Sequence, residues 1–222
     1  MSIQQQVIQD ISDREKKGIE IYGKCLNPYN GRNALNDLYE ELLDASMYLK
    51  QYMNEAGGLL VDSHIETLCL NGLISPYISD HLNPSSLDIC IGNTALIETV
   101  VGLIEHDFSQ YTSDNPYLLE PNEFILVGTL ETFKLPSNIC ADIKIKSSRA
   151  REGLSHALAG WVDCGFNGVL TLELKNYTRY RKIPIYPGLR VAQLVLYKTD
   201  TPDKDYSSGR YSNHDTVIAS MD

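Results

Sequence analysis

The chain has 222 residues, 43% of them hydrophobic and 22% charged, with a formal net charge of −10. That length supports one well-filled core plus an appendage, and so acidic a balance excludes a general nucleic-acid binder, whose contact face would be basic. No apolar run approaches the length of a membrane span, which excludes a membrane partner of that kind.

The five cysteines (Cys25, Cys69, Cys90, Cys140 and Cys164) are scattered without a CxxC pair, and the start MSIQQQVIQD has no apolar signal region. Reduced thiols in a cytoplasmic setting are therefore expected.

In chain order, Ile3, Val7 and Ile11 fall on one helical face, so a helix is predicted over Ile3–Tyr22 with Gly23 as its stop. The turn-rich Asn27–Asn33 follows. A second helix is predicted over Ala34–Glu55, with the seam Leu35, Leu38, Leu42, Ala45, Leu49 and Tyr52 spaced three and four apart, as in helices that pack along another helix. Gly57-Gly58 marks a boundary, giving a helical appendage over 1–57 and a main domain over 58–222. Two helices bury too little to be stable alone, so this appendage leans on the main domain or on a second copy of itself. Its Glu40, Glu41 and Asp44 are neighbours on one helix. They read either as a Mg²⁺ site of clustered carboxylates or, more plainly, as a solvated acidic face near a helix N-terminus.

Ser63–Glu66 fits a capping box for a short third helix closed by Asn71-Gly72. Beyond it come short alternating or apolar runs: SSLDICIG, EFILVGTLE, ICADIKIK, GVLTLEL, KIPIY and LRVAQLVLYK. Such runs, separated by turn residues, predict an all-β sandwich, jelly roll or barrel. The polar tail from Tyr206 is expected to be a disordered end or a flexible flap.

The chemistry concentrates between residues 144 and 176. Lys144, Lys146, Arg149 and Arg151 surround Ser147 and Ser148 ahead of Gly153, a positive island in an acidic chain that suits a phosphate. On GVLTLEL, Leu170, Leu172 and Leu174 face one way while Val169, Thr171 and Glu173 face the other, because strand side chains alternate. The leucines belong in a core. Glu173 then lies on a second surface, either solvated or reactive.

The zinc-deaminase pattern H-x-E with P-C-x-x-C is absent, as are G-x-S-x-G, a Walker loop and a dinucleotide fingerprint. No zinc is expected in the chemistry. A carboxylate that activates water beside a triphosphate cradle remains, with Glu173 as general base and Asp163 as a second polar anchor.

From about Leu59 onward these residues resemble the dCTP deaminase/dUTPase family. The resemblance rests on LVDSHIETLCLNGLIS, LNPSSLDICIGN, VGTLETFKLPSNICADIKIKSSRAREGL, AGWVDCGFNGVLTLELKN and YPGLRVAQL, in that order. It implies a distorted jelly roll and a homotrimer with active sites at subunit interfaces closed by the tail. It also implies Mg²⁺ carried on the triphosphate. Glu173 matches the carboxylate that activates water for deamination, and Ser147 and Arg151 match residues that position the water and the base. Lys146, Ser148, Arg149 and Ala150 would border the phosphate channel. Val162 and Asp163 match the turn at the sugar, and Asp163 also matches the aspartate with which dUTPases activate water. Thr171 and Leu172 flank the catalytic strand position. Gln193 matches a phosphate contact, and Tyr206, Arg210 and His214 belong to the closing tail.

Several positions depart from the family pattern. Leu158 stands where a threonine is common, Arg149 where a leucine is, Arg210 for a lysine and His214 for a glutamine. Trp161 reads as packing beside the sugar pocket, His156 as structural, and Cys164 carries no mark of a nucleophile. The N-terminal DREKKGIEIYG and LYEELLDASMYLKQYMNE resemble short MazG-like segments, which raises a phage origin.

The resemblance implies deamination of dCTP to dUTP and ammonia. The alternatives are dUTP diphosphatase activity, a bifunctional enzyme that releases dUMP and pyrophosphate, and a non-catalytic nucleotide-binding regulator.

Overall fold

The computed structural model describes residues 2–25, 27, 30–55, 58–157 and 159–221. It divides into two units, Met1–Glu55 and Ala56–Asp222. Gly57 and Leu158, both singled out in the sequence, lie outside the described residues, as do Pro28 and Tyr29 in the turn-rich segment.

The first unit contains α1 (Ile3–Tyr22) and α2 (Ala34–Glu55), as the periodicity predicts. Ser2 and Gln5 form a reciprocal capping box at the start of α1, with Gln5 N–H donating to Ser2 Oγ at 3.2 Å and Ser2 N–H to Gln5 Oε1 at 2.9 Å. Arg14 pairs with Glu41 at 3.2 Å, an exposed contact that contributes at most about 1 kcal/mol. The α2 seam stays uncovered, with Leu35, Leu38, Leu42, Leu49 and Tyr52 all exposed.

The second unit is mainly β. It opens with α3 (Asp62–Leu70), β1 (Ile74–Ser75), a 3-10 turn at Ser79–His81 and β2 (Leu82–Asn83). Next come β3 (Ser86–Thr99), β4 (Gly102–Asp107), β5 (Tyr117–Leu119), β6 (Phe124–Lys134) and β7 (Ile139–Ile145). Then follow α4 (Ser147–Glu152), β8 (Leu154–His156), β9 (Trp161–Val162), β10 (Asn167–Asn176), β11 (Ile183–Ile185) and β12 (Arg190–Lys198).

The capping box expected at Ser63–Glu66 is not formed. The helix begins one residue earlier with Val61 as N-cap, and Ser63 N–H instead bonds Asp62 Oδ1 at 2.7 Å. Within the basic stretch, Ser147–Glu152 form the short helix α4. Strands β4, β5, β8 and β9 had no clear signal, since each is short or lies among polar residues whose pairing is non-local.

The main sheet runs β8-β10-β6-β3-β12-β7-β9 and curls on itself. Strand β3 makes the curl: Leu87–Cys90 pair with β12, whereas Ala95–Ile97 pair with β6, and a register shift falls between Ile91 and Ala95. Gly92 permits the crossing, because a Cβ there would sit 2.6 Å from Thr129 O. The core between the curled layers includes Ile65, Leu87, Ile89, Val127, Phe133, Leu172, Leu174 and Leu194, all at most 1% exposed.

Burial alternates residue by residue along β10, with Leu170, Leu172 and Leu174 inside and Thr171 and Glu173 half-buried on the other face. Replacing Leu172 by Ala should remove about 2–5 kcal/mol of stability by opening a core cavity, measurable as a lowered urea midpoint at unchanged slope.

Candidate active site

Glu173 is set by two antiparallel neighbours. On one side it lies opposite Leu126 of β6, and on the other its carbonyl accepts the Ala157 N–H at 2.9 Å just past β8. That second pairing brings His156 beside it. His156 Nε2 stands 3.0 Å from Glu173 Oε2. The approach lies off the hydrogen-bond direction, so neither buried atom has a hydrogen-bond partner among the described residues. Buried polar atoms left this way are uncommon, and Glu173 lines a cavity of about 560 Å³.

The opposite wall comes from β9, held to β7 by Ala141↔Val162 and Asp142↔Trp161. It places Val162 against the cavity and Asp163 at its edge. Trp161 Nε1 donates to Asp163 Oδ1 at 3.0 Å, and the indole stacks on Tyr197 with centroids 6.4 Å apart. Trp161 borders the cavity, as the sequence suggested, but its ring is exposed and also orients Asp163.

The tail closes the third side. Val169 N–H donates to His214 O at 2.8 Å and Ile218 N–H to Thr171 Oγ1 at 3.1 Å, so residues after 212 run along the polar edge of β10. Gly168 (φ +126°) makes room for them, since a Cβ there would meet His214 O at 2.5 Å. The tail is laid down as a strap over the cavity, where the sequence left a disordered end or a flap. Tyr206 lines the cavity and Arg210 Nη1 donates to Met221 O at 2.6 Å outside it. His214 Nε2 contacts Arg210 O at 3.2 Å.

Leu172 points into the core and lines no part of this cavity. Nor does the basic group on α4. Ser147, Ser148, Ala150 and Arg151 are exposed there, while Arg149 pairs with Glu152 at 2.8 Å.

Lys146 turns instead to Asp88 of β3, which is 2% exposed and also receives Arg190 at 3.5 Å and Asn83 Nδ2 at 3.0 Å. Gln193 lies opposite Asp88 in the β12–β3 register and donates to Ser86 Oγ at 3.2 Å. The predicted residues therefore form two groups. Glu173, Asp163, Val162, Thr171 and Tyr206 share a cavity, whereas Lys146 and Gln193 share a polar cluster around Asp88.

In the first unit, Glu41 is taken by Arg14, and Glu40 and Asp44 border a shallow groove with Met47 and Lys50. Among the described residues, the only trio of side chains whose ligand atoms come within 4.8 Å of one another is His81, Cys90 and Glu131, not these carboxylates.

A family model described as dCTP deaminase-like matches residues 59–199. The chain is 34% identical over 174 residues to a dUMP-forming dCTP deaminase of Aquifex aeolicus, covering 73% of this chain and 93% of that protein. It is 36% identical over 157 residues to the same-named protein of Persephonella marina, covering 67% and 87%. The chain belongs to the dCTP deaminase-like family. The 2'-deoxycytidine 5'-triphosphate deaminase structure from Agrobacterium tumefaciens superposes with a TM-score of 0.54 at 24% identity, over 64% of this chain and 48% of that one. That match and the curled antiparallel sheet identify the distorted jelly-roll, dUTPase-like fold.

In this dCTP deaminase-like chain two participants escaped the sequence reading. His156 looked structural because only the β8–β10 pairing brings it to Glu173. Asp88 lay unremarked in an apolar strand, although an acidic residue in such a run is itself a signal of a buried pair. Asp88→Ala should leave Lys146 without its buried partner and cost about 3 kcal/mol, read from urea unfolding.

Proposed function

We propose that this chain deaminates dCTP and then releases pyrophosphate, giving ammonia and dUMP. The observation that carries the reading is that Glu173 and Asp163 border one cavity. The relatives' dUMP-forming names favour this bifunctional alternative over release of dUTP. The substrate is the Mg²⁺ complex of the nucleotide.

Glu173 takes a proton from water as the oxygen attacks C4 of cytosine and hands it to the ring nitrogen N3; it then carries the proton of the new C4 hydroxyl to the amino group, so that the C4 carbonyl forms as the C–N bond breaks and ammonia leaves. His156, 3.0 Å away, is the positioning residue for that carboxylate. A second water, activated by Asp163, attacks the α-phosphorus and expels pyrophosphate. The Trp161 hydrogen bond holds Asp163 in one orientation for this step.

The α4 residues Ser147, Ser148 and Arg151 border no part of this cavity. Their role at the base and phosphates fits a homotrimer in which a neighbouring copy supplies them. Light scattering on the full chain should then give three times the monomer mass, and a monomer that turns over would overturn the shared site.

Incubation with dCTP and Mg²⁺ should yield ammonia and pyrophosphate in equal amounts. Glu173→Gln should lower ammonia release by at least about 10²-fold while nucleotide binding persists. Asp163→Asn should leave ammonia release intact and let dUTP accumulate. Ammonia without pyrophosphate from the unaltered chain would restore the dUTP-forming reading, and binding with neither product would leave a nucleotide sensor.

A further inference from the structure

Outside the cavity, three residues far apart in sequence converge at the foot of β3. His81 ends the 3-10 turn, Cys90 sits on β3 and Glu131 on β6, and one ligand atom of each lies within 4.8 Å of the others. His81 Nδ1 and Cys90 Sγ are 3.9 Å apart. Four-coordinate zinc, with Zn–S near 2.3 Å and Zn–N near 2.05 Å, sets its sulfur and nitrogen ligands about 3.6 Å apart. A shift of a few tenths of an ångström therefore brings the imidazole and thiol to that spacing, with a Glu131 oxygen within 4.8 Å of both.

The group also has an unsolved charge. Glu131 is 1% exposed, and among the described residues no lysine or arginine pairs with it. Lys146 and Arg190 are both engaged by Asp88. Both Glu131 oxygens accept the Cys90 N–H, at 3.1 and 3.0 Å, and the carboxylate also meets the Cys90 thiol and its own backbone N–H, neutral donors that leave its charge without a cation. A carboxylate buried this deeply without a cation is costly.

We propose that His81 Nδ1, the Cys90 thiolate and one Glu131 oxygen hold a zinc-class divalent ion, with water in the fourth position. One thiolate and one carboxylate balance the two charges of the ion, which settles the charge on Glu131 without an arginine or lysine. The mixed sulfur, nitrogen and oxygen set selects zinc or cobalt over Mg²⁺, which wants six oxygens. Binding displaces the thiol proton, and the Glu131 proton where present, to solvent.

The ion would pin the 3-10 turn and β3 to β6 beside the Asp88 cluster, apart from the water chemistry at Glu173. The sequence showed no such site because its ligands are 9 and 41 residues apart.

The test uses the full chain, stripped with a chelator and titrated with Co²⁺ and Zn²⁺. One equivalent of Co²⁺ should give a thiolate-to-cobalt charge-transfer band, displaced by Zn²⁺ but not by millimolar Mg²⁺. Because a proton leaves on binding, the affinity should rise about tenfold per pH unit per proton released. Cys90→Ser should abolish the band, which separates this thiol from the more accessible Cys25 and Cys164. His81→Ala, at a half-buried position that spares the core, should keep the fold by circular dichroism and weaken Co²⁺ at least tenfold. Zn²⁺ should raise the melting temperature of the unaltered chain and of neither variant. The proposal is overturned by the absence of a band, by a band that survives Cys90→Ser, or by displacement with Mg²⁺.

Discussion

The site depends on the alternation of β10. Each leucine that enters the core forces its neighbour to the other face, so the packing of Leu170, Leu172 and Leu174 is what presents Thr171 and Glu173 to the cavity. A slip of one residue would bury Glu173 and expose the leucines. The register is held on both edges, by Glu173↔Leu126 on β6 and Leu174↔His156 on β8, and the second pairing brings the imidazole to the carboxylate. Fold stability and the placement of the reactive group are one constraint.

Around that strand the polar residues divide by function. The cavity carries acids and aromatics, with Asp163 oriented by Trp161 and the tail strapped across through hydrogen bonds to the Val169 N–H and the Thr171 hydroxyl. The cations are elsewhere, drawn to Asp88 at the centre of the sheet. Asp88 is almost fully buried, and two cations with one amide are the kind of compensation such burial demands. Glu131, equally buried on the adjacent strand, lacks that compensation, and the imidazole and thiol beside it are what the fold offers in its place.

The helical unit presents a different balance. Its apolar seam has coiled-coil spacing, yet its leucines remain open to solvent, so the pair of helices does not by itself bury the surface that its sequence encodes. Its carboxylates are either paired at the surface, as Glu41 is with Arg14, or spread along a groove.

The two long helices, the core face of β10 and the longer strands were legible in the amino-acid order, because helical periodicity and strand alternation are local properties. Family membership was legible too, since it rests on ordered motifs. What only the tertiary structure decided is which side chains meet. His156 beside Glu173, Trp161 on Asp163, the tail along β10, Lys146 and Arg190 on Asp88, and the His81–Cys90–Glu131 trio all join strands or turns distant in sequence. Local spacing carries no record of those meetings, because strand pairing in a curled antiparallel sheet is set by how the whole core closes.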